Sequence, residues 1–569
     1  MNQVRTLLEC LLAFALLAPR MSAYGQGAGA CRADQQPGKD ASAQINYCLT
    51  KVIDWNGLVD ATALTGPQTL SDNIFSGMPT EMQPPPLPVN VTIFFGNATY
   101  NVQAVQGYDP GPANPYAKNI RLIGAGGNVY SPTGTIFKWT GSSAGSQPMF
   151  VLYNIENMLV EAITFDGNAS ATKAVVYAGT SFHPDGGAFV DVVTKRLRIN
   201  ATDAAIDMLG SYGWGAQNVH IYNSTISGGA VGLLVGSTEI KTFGGNFGGE
   251  TGLSRPAAPS LSFAPGGSLP ATTYYVEATY VNNLGETYIS PEAPISVPAN
   301  NLLIVNSPQA SSAPSGTATA ASGWNVYASS ASGTETQQNA STVAIGTNWI
   351  EPTGGLISGP RPPAFNTTGS LAAVAFSASS SLQMVSPTFV GYGSAFLDVA
   401  NSFAGLIRVQ NGWFENDGYL FRRYGSGNNI FVAGFSCMEC HYSQNAKYAI
   451  DTAGLSVPNI VLFGGYADPG STTTVNLADS TSSLTVFGPD ASQGWSASGA
   501  GAANFRSFAY GAGTFDGNSG ITFNKGVNAP IIQFMPTGDP NCSAGQYFIW
   551  ASSGSGALKV CSNGRVASF

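Results

Sequence analysis

Short runs of alternating apolar and polar residues, most of them followed closely by Gly or Asn, recur along this chain at intervals of ~20–30 residues. They include Ile120–Ile123, Met158–Phe165, Leu197–Ile199, Val219–Ile226 and Ile240–Phe247, then Leu382–Phe389, Leu406–Phe414, Ile430–Cys437 and Ile460–Phe463. Runs this short cannot bury an apolar face alone, so they must stack on their neighbours. The period predicts an all-β solenoid in which each strand pairs with its equivalents ~4.8 Å above and below. Equivalent inward positions then form ladders. Phe165, Ile226, Phe247, Phe389, Phe414 and Cys437 close successive runs, and Phe389, Phe414 and Cys437 are expected as one ladder. That register sets Asn416 against Glu439.

The period breaks once, between Phe247 and Phe389. Pro256–Pro265 reads as a linker. Thr272–Val281, Ile295–Val297, Leu302–Val305, Gly323–Tyr327 and Val343–Ile350 then read as closely spaced short strands. Such spacing predicts a small β-sandwich inserted into one loop of a continuing solenoid. The expected organisation is a leader at 1–25, a cap and first solenoid part at 26–253, the sandwich at 254–365, a second solenoid part at 366–490, and a linker with a small β module at 491–569. Ile45, Leu49 and Ile53 have helical spacing, which predicts a short helix covering the open end of the solenoid.

Arg5 followed by the apolar stretch Leu7–Leu17, then Ala23-Tyr24-Gly25, predicts a cleaved signal peptide. No segment reaches the ~20 apolar residues of a membrane span. The expected location is secreted or cell-surface. Six cysteines remain after cleavage, in three local pairs, as suits an oxidising compartment. Cys31–Cys48 and Cys542–Cys561 are expected disulfides. Cys437 and Cys440 form either a local disulfide or two free thiols, since no second CxxC accompanies them. Only 10% of residues are charged and the net charge is −9, which argues against a nucleic-acid partner. Three His exclude a His-rich metal site.

Several segments resemble the right-handed parallel β-helix proteins of the pectate lyase superfamily. They are Ile45-Asn46-Tyr47-Cys48-Leu49, Leu58-Val59-Asp60, Val91–Gly96 with Tyr100, Ile120–Gly124, Ile163–Gly167 and Asn218–Ile226. Tyr274–Val276, Gly285–Thr287 and Gly323–Tyr327 resemble fibronectin type III-like modules. The β-helix resemblance implies a groove for an extended, often acidic polysaccharide, and an enzyme that eliminates, hydrolyses or epimerises. The Asn-Thr-Asp, Asp-Asp, Gly-His-Gly and Arg-Ile-Lys motifs of the polygalacturonate hydrolases are absent. The expected function is a polysaccharide lyase or glycoside hydrolase. The alternative is a non-catalytic adhesin or tail-fibre-like protein, which would imply a homotrimer.

Glycosidic chemistry needs paired carboxylates, or a base with a cation to neutralise a uronate. Two groups qualify. In the expected register Glu415, Asp417 and Glu439 gather in one turn stack, with Arg422 and Arg423 on the same coil and Trp413 as a sugar platform. The other reading of this group is a solvated turn. The second group comprises Asp185 and Asp207, with His183, Asp191 and Asp203 between or beside them and Arg198 as a cation. Asp166, in Thr-Phe-Asp-Gly-Asn, reads as turn chemistry. Calcium is the one cofactor that acidic turns of this kind could hold.

Overall fold

The computed structural model describes residues 30–508 apart from short internal breaks, the longest being 79–88, 311–319 and 424–433. Beyond 508 it describes only the strands Pro536–Thr537, Tyr547–Ser552, Leu558–Ser562 and Arg565–Ser568. The expected leader lies outside the described residues. No described helix is long and apolar enough to cross a membrane.

The chain winds into a parallel β-helix. Among the described residues three sheets carry 14, 12 and 12 strands, and the strands of each sheet follow one another in chain order. Pairing along all three is parallel, with two short antiparallel additions at Gly127–Asn128 and Trp214–Gly215. A typical coil places Val219–Tyr222 in the first sheet, Thr225–Ser227 in the second and Val231–Val235 in the third. Alternation explains the core. Val219 and Ile221 point inward and are buried, while His220 and Tyr222 face out.

The inward ladder of the second sheet runs Phe165, Thr194, Ile226, Phe247, Phe389, Phe414, Tyr442. Its rings stack at 5.1 Å for Phe247–Phe389, 4.9 Å for Phe389–Phe414 and 6.0 Å for Phe414–Tyr442. Cys437 is not in it. It lies in the first sheet between Val409 and Leu462, bonded to Cys440 across the corner that leads to the second sheet. The coil after Phe414 is therefore longer than the spacing to Cys437 suggests.

One end is closed by the helix Ala41–Val52, which packs on Ala30–Arg32, Gly57–Ala61 and Gln68–Leu70. Ile45, Cys48, Leu49 and Val52 form its buried face. Asp40 caps it: one carboxylate oxygen accepts from the Ala43 amide at 3.0 Å and from the Ser42 hydroxyl at 2.5 Å. Cys48 is disulfide-bonded to Cys31 on the first strand.

The solenoid register survives the interruption. Ile240 pairs with Leu382 and Phe247 with Phe389, although the sandwich intervenes. A three-stranded sheet (Leu261–Pro265, Asn301–Val305, Trp349–Ile350) and a four-stranded one (Ala293–Val297, Thr272–Val281, Gly323–Ser329, Thr336–Gln337) enclose a separate core. That core includes Val276, Leu303, Trp324 and Val326. Part of the stretch read as a linker, Leu261–Pro265, is an edge strand here. The solenoid also runs past 490. Leu484–Phe487 pairs with Phe505–Phe508, and Thr474–Asn476 with Ser496–Ser498. The Ser, Gly and Ala residues read as a linker are a coil of small side chains.

Residues Gly517–Phe569 form a separate unit. Its described strands make one four-stranded sheet in which Cys561 pairs with Phe548 and Val566. Cys542 lies outside the described residues, and so does its expected disulfide.

Candidate functional site

Outward positions of the second sheet are mostly small and polar. One column reads Thr225, Asn246, Thr388, Trp413, His441, Tyr466. Its last three members are rings on successive coils. Trp413 and His441 stack with centroids 4.0 Å apart, and His441 and Tyr466 with centroids 5.7 Å apart. Trp413 is 47% exposed and Tyr466 46%. The neighbour of Trp413 on the preceding coil is Thr388, too small to cover the indole face turned toward it.

The next outward column carries Val390, Glu415 and Ser443, with Asp468 following Tyr466-Ala467. The carboxylates hold the rings. Trp413 Nε1 donates to Glu415 Oε2 at 3.2 Å, and His441 Nε2 lies 3.0 Å from Asp468 Oδ1. His441 Nδ1 is buried with no hydrogen-bond partner. His441 is thus a rung of the stack, with neither nitrogen free for a substrate. The face can stack on a sugar and accept from its hydroxyls.

The structure brings together only part of the first expected group. Trp413 and Glu415 share the site. Glu439 does not, because the offset between adjacent second-sheet strands pairs Glu415 with Ser443. Glu439 sits at the corner between first and second sheets, in the left-handed conformation at φ 52°. Asp191, Asn223, Gly244, Asn411 and Gly464 are also left-handed. Each repeats at that corner, its amide (Asn411 to Met438, Glu439 to Phe463) reaching the next coil's carbonyl. Arg422 is in the third sheet, buried, 3.5 Å from Asp451 and over the Tyr419 ring at 4.6 Å. It is not placed to meet a substrate at Trp413. The side chains of Asp417 and Arg423 lie outside the described residues.

The second expected group is occupied by structure. Asp207 is buried, ion-paired with Lys173, and accepts the Leu209 and Gly210 amides at 2.9 Å each. Arg198 is bidentate to Asp203 at 2.8 and 3.2 Å. Asp185 is exposed and accepts from Asn218 at 2.6 Å. Asp166 is bound by Arg196 and accepts the Asn168 amide at 3.0 Å. Among the described residues no group of three or more His, Cys, Asp or Glu side chains is gathered that could hold a metal ion.

Sequence reasoning missed Tyr466, which opens a strand of only two residues with no alternation to read, and Asp468, which follows that strand. It also missed Glu161, on the outer face of the first sheet. Burial pushes its carboxyl up, the nearby Asp191 charge adds to that, and Arg121 partly opposes it. Burial pushes Asp191 up as well.

No protein-family model and no curated protein matches the chain. Two solved structures are similar to it. The tailspike gp42 of Acinetobacter phage vb_AbaP_AS12 is 9% identical, with a TM-score of 0.43, covering 95% of this chain and 76% of that one. ORF18 of Geobacillus virus E2 is 11% identical, with a TM-score of 0.31, covering 95% of this chain and 86% of that one.

Proposed function

We propose that this chain is an exported β-helix protein that binds an extended polysaccharide across the second sheet, on Trp413, His441 and Tyr466. The observation that carries this reading is the three-ring stack, half-exposed at both ends and fixed by two carboxylates. Side chains already locked in place lose little entropy on binding. Both disulfides within the solenoid suit a protein outside the cytoplasm.

A second reading is glycoside hydrolysis. Glu415 and Asp468 stand two coils apart, ~10 Å at ~4.8 Å per coil, just beyond the ~6.5–9.5 Å carboxylate spacing of inverting enzymes. Elimination is less supported, because Arg422 is committed to Asp451. A panel of acidic and neutral polysaccharides, assayed for binding and for new reducing ends, separates the two. Binding without cleavage supports the first reading, and cleavage lost in Glu415→Gln supports the second. Neither binding nor cleavage of any polysaccharide removes both.

A further inference from the structure

We propose that the cleft between the inserted sandwich and the solenoid binds a single uronate-type sugar residue, anchored by Arg255. The site uses none of the residues of the ring stack. The cleft has a volume of about 240 Å³, below the usual ~300–1,000 Å³ of drug-sized sites and suited to one sugar ring. Arg255, Tyr288, Asn366, Ser370, Tyr392 and Tyr419 line it, and no Asp or Glu does among the described residues.

Arg255 is exposed at the rim and makes no ion pair among the described residues. A guanidinium in that state recognises a carboxylate through two parallel hydrogen bonds. Tyr392 and Tyr419 are buried on the solenoid side, and Tyr288 reaches in from the sandwich. Burial pushes the Tyr419 phenol up, so it stays protonated and adds no negative charge to the cleft. Tyr288, Tyr392 and Tyr419 give the cleft aromatic walls suited to the apolar face of a sugar ring.

The walls are fixed before any ligand arrives. Asn366 Nδ2 donates to the Leu253 carbonyl at 2.8 Å, and the Leu253 amide donates to Thr368 Oγ1 at 2.7 Å. From the sandwich, Asn282 Nδ2 donates to the Thr368 carbonyl at 3.1 Å. Glycine makes the floor. A Cβ at Gly418 would lie 2.2 Å from the Gly393 carbonyl oxygen, so these coils pass too closely for side chains.

The test is calorimetric titration of the full chain with glucuronate, galacturonate, glucose and acetate. We expect one of the uronates to bind about tenfold or more tightly than both glucose and acetate. Arg255→Gln should weaken that binding about tenfold or more, and Arg255→Lys should keep part of it. Lys241→Gln, which removes a cation from the first sheet, should leave it unchanged. The proposal is overturned by absence of uronate binding, by acetate or glucose binding equally well, or by uronate affinity that survives Arg255→Gln.

Discussion

The Trp413 ring lies face to face with His441, centroids 4.0 Å apart, although 28 residues of chain separate them. The parallel register sets these two side chains one above the other, and Glu415 and Asp468 fix them from the adjacent column. A solenoid turns a sequence period into a surface row, and here that row carries three rings on successive coils.

The inner ladder should be the most sensitive part of the solenoid. Phe414 is fully buried, stacked between Phe389 and Tyr442. Phe414→Ala leaves a cavity that neighbouring coils cannot close, so denaturant unfolding should show a loss of about 3–5 kcal/mol. A loss under about 1 kcal/mol would contradict the ladder.

The cap depends on its disulfide. Cys31 and Cys48 are 17 residues apart, and closing a loop of that size stabilises by roughly 3 kcal/mol. Replacing both by Ser should lower the unfolding midpoint and expose the Ala41–Val52 helix to early proteolysis. Unreduced peptide mapping of the parent should recover the linked pair.

Glu161 sets a pH dependence of known sign. Its folded carboxyl titrates above its unfolded value, chiefly through burial, so the folded state holds its proton to higher pH. In that window the folded state binds more protons, and stability falls as pH rises. Glu161→Gln should raise the thermal midpoint at neutral pH and flatten its fall as pH rises above the ordinary carboxylate range. An unchanged profile would remove the argument.

The sandwich should be dispensable for folding of the solenoid. Leu253 and Asn366 are hydrogen-bonded neighbours at 2.8 Å, so residues 255–365 can be replaced by a short join. The shortened chain should keep its β circular dichroism and a cooperative thermal transition. Aggregation or loss of structure would show that the sandwich supports the coils.

The fold was legible because its period is carried by buried apolar residues. Ile226 and Phe247, then Phe389 and Phe414 beyond the sandwich, announce themselves at steps of 21 and 25 residues. The register failed at one coil, where the second-sheet strand is His-Tyr-Ser-Gln with Tyr442 as its only large inward ring, while Cys437 offered a nearer apolar match. That slip moved Glu439 beside Glu415 and produced a carboxylate cluster the chain does not form. Trp413 and Glu415 are two residues apart in the sequence, whereas Tyr466 and Asp468 join them only through pairing across coils. The charged residues of the second group were misjudged for another reason. Asp203, Asp207 and Arg198 look available in sequence, and only the structure shows them neutralising one another or Lys173.

The central claim is that a polysaccharide lies on the ring stack, and Trp413→Ala tests it directly. Trp413 points outward, so the variant should lose no more than about 1–2 kcal/mol, the cost of the His441 stack and the Glu415 hydrogen bond, and stay folded. Its affinity for the polysaccharide that the parent binds should fall about tenfold or more, as expected for an exposed aromatic anchor. Unchanged affinity in the folded variant would contradict the account.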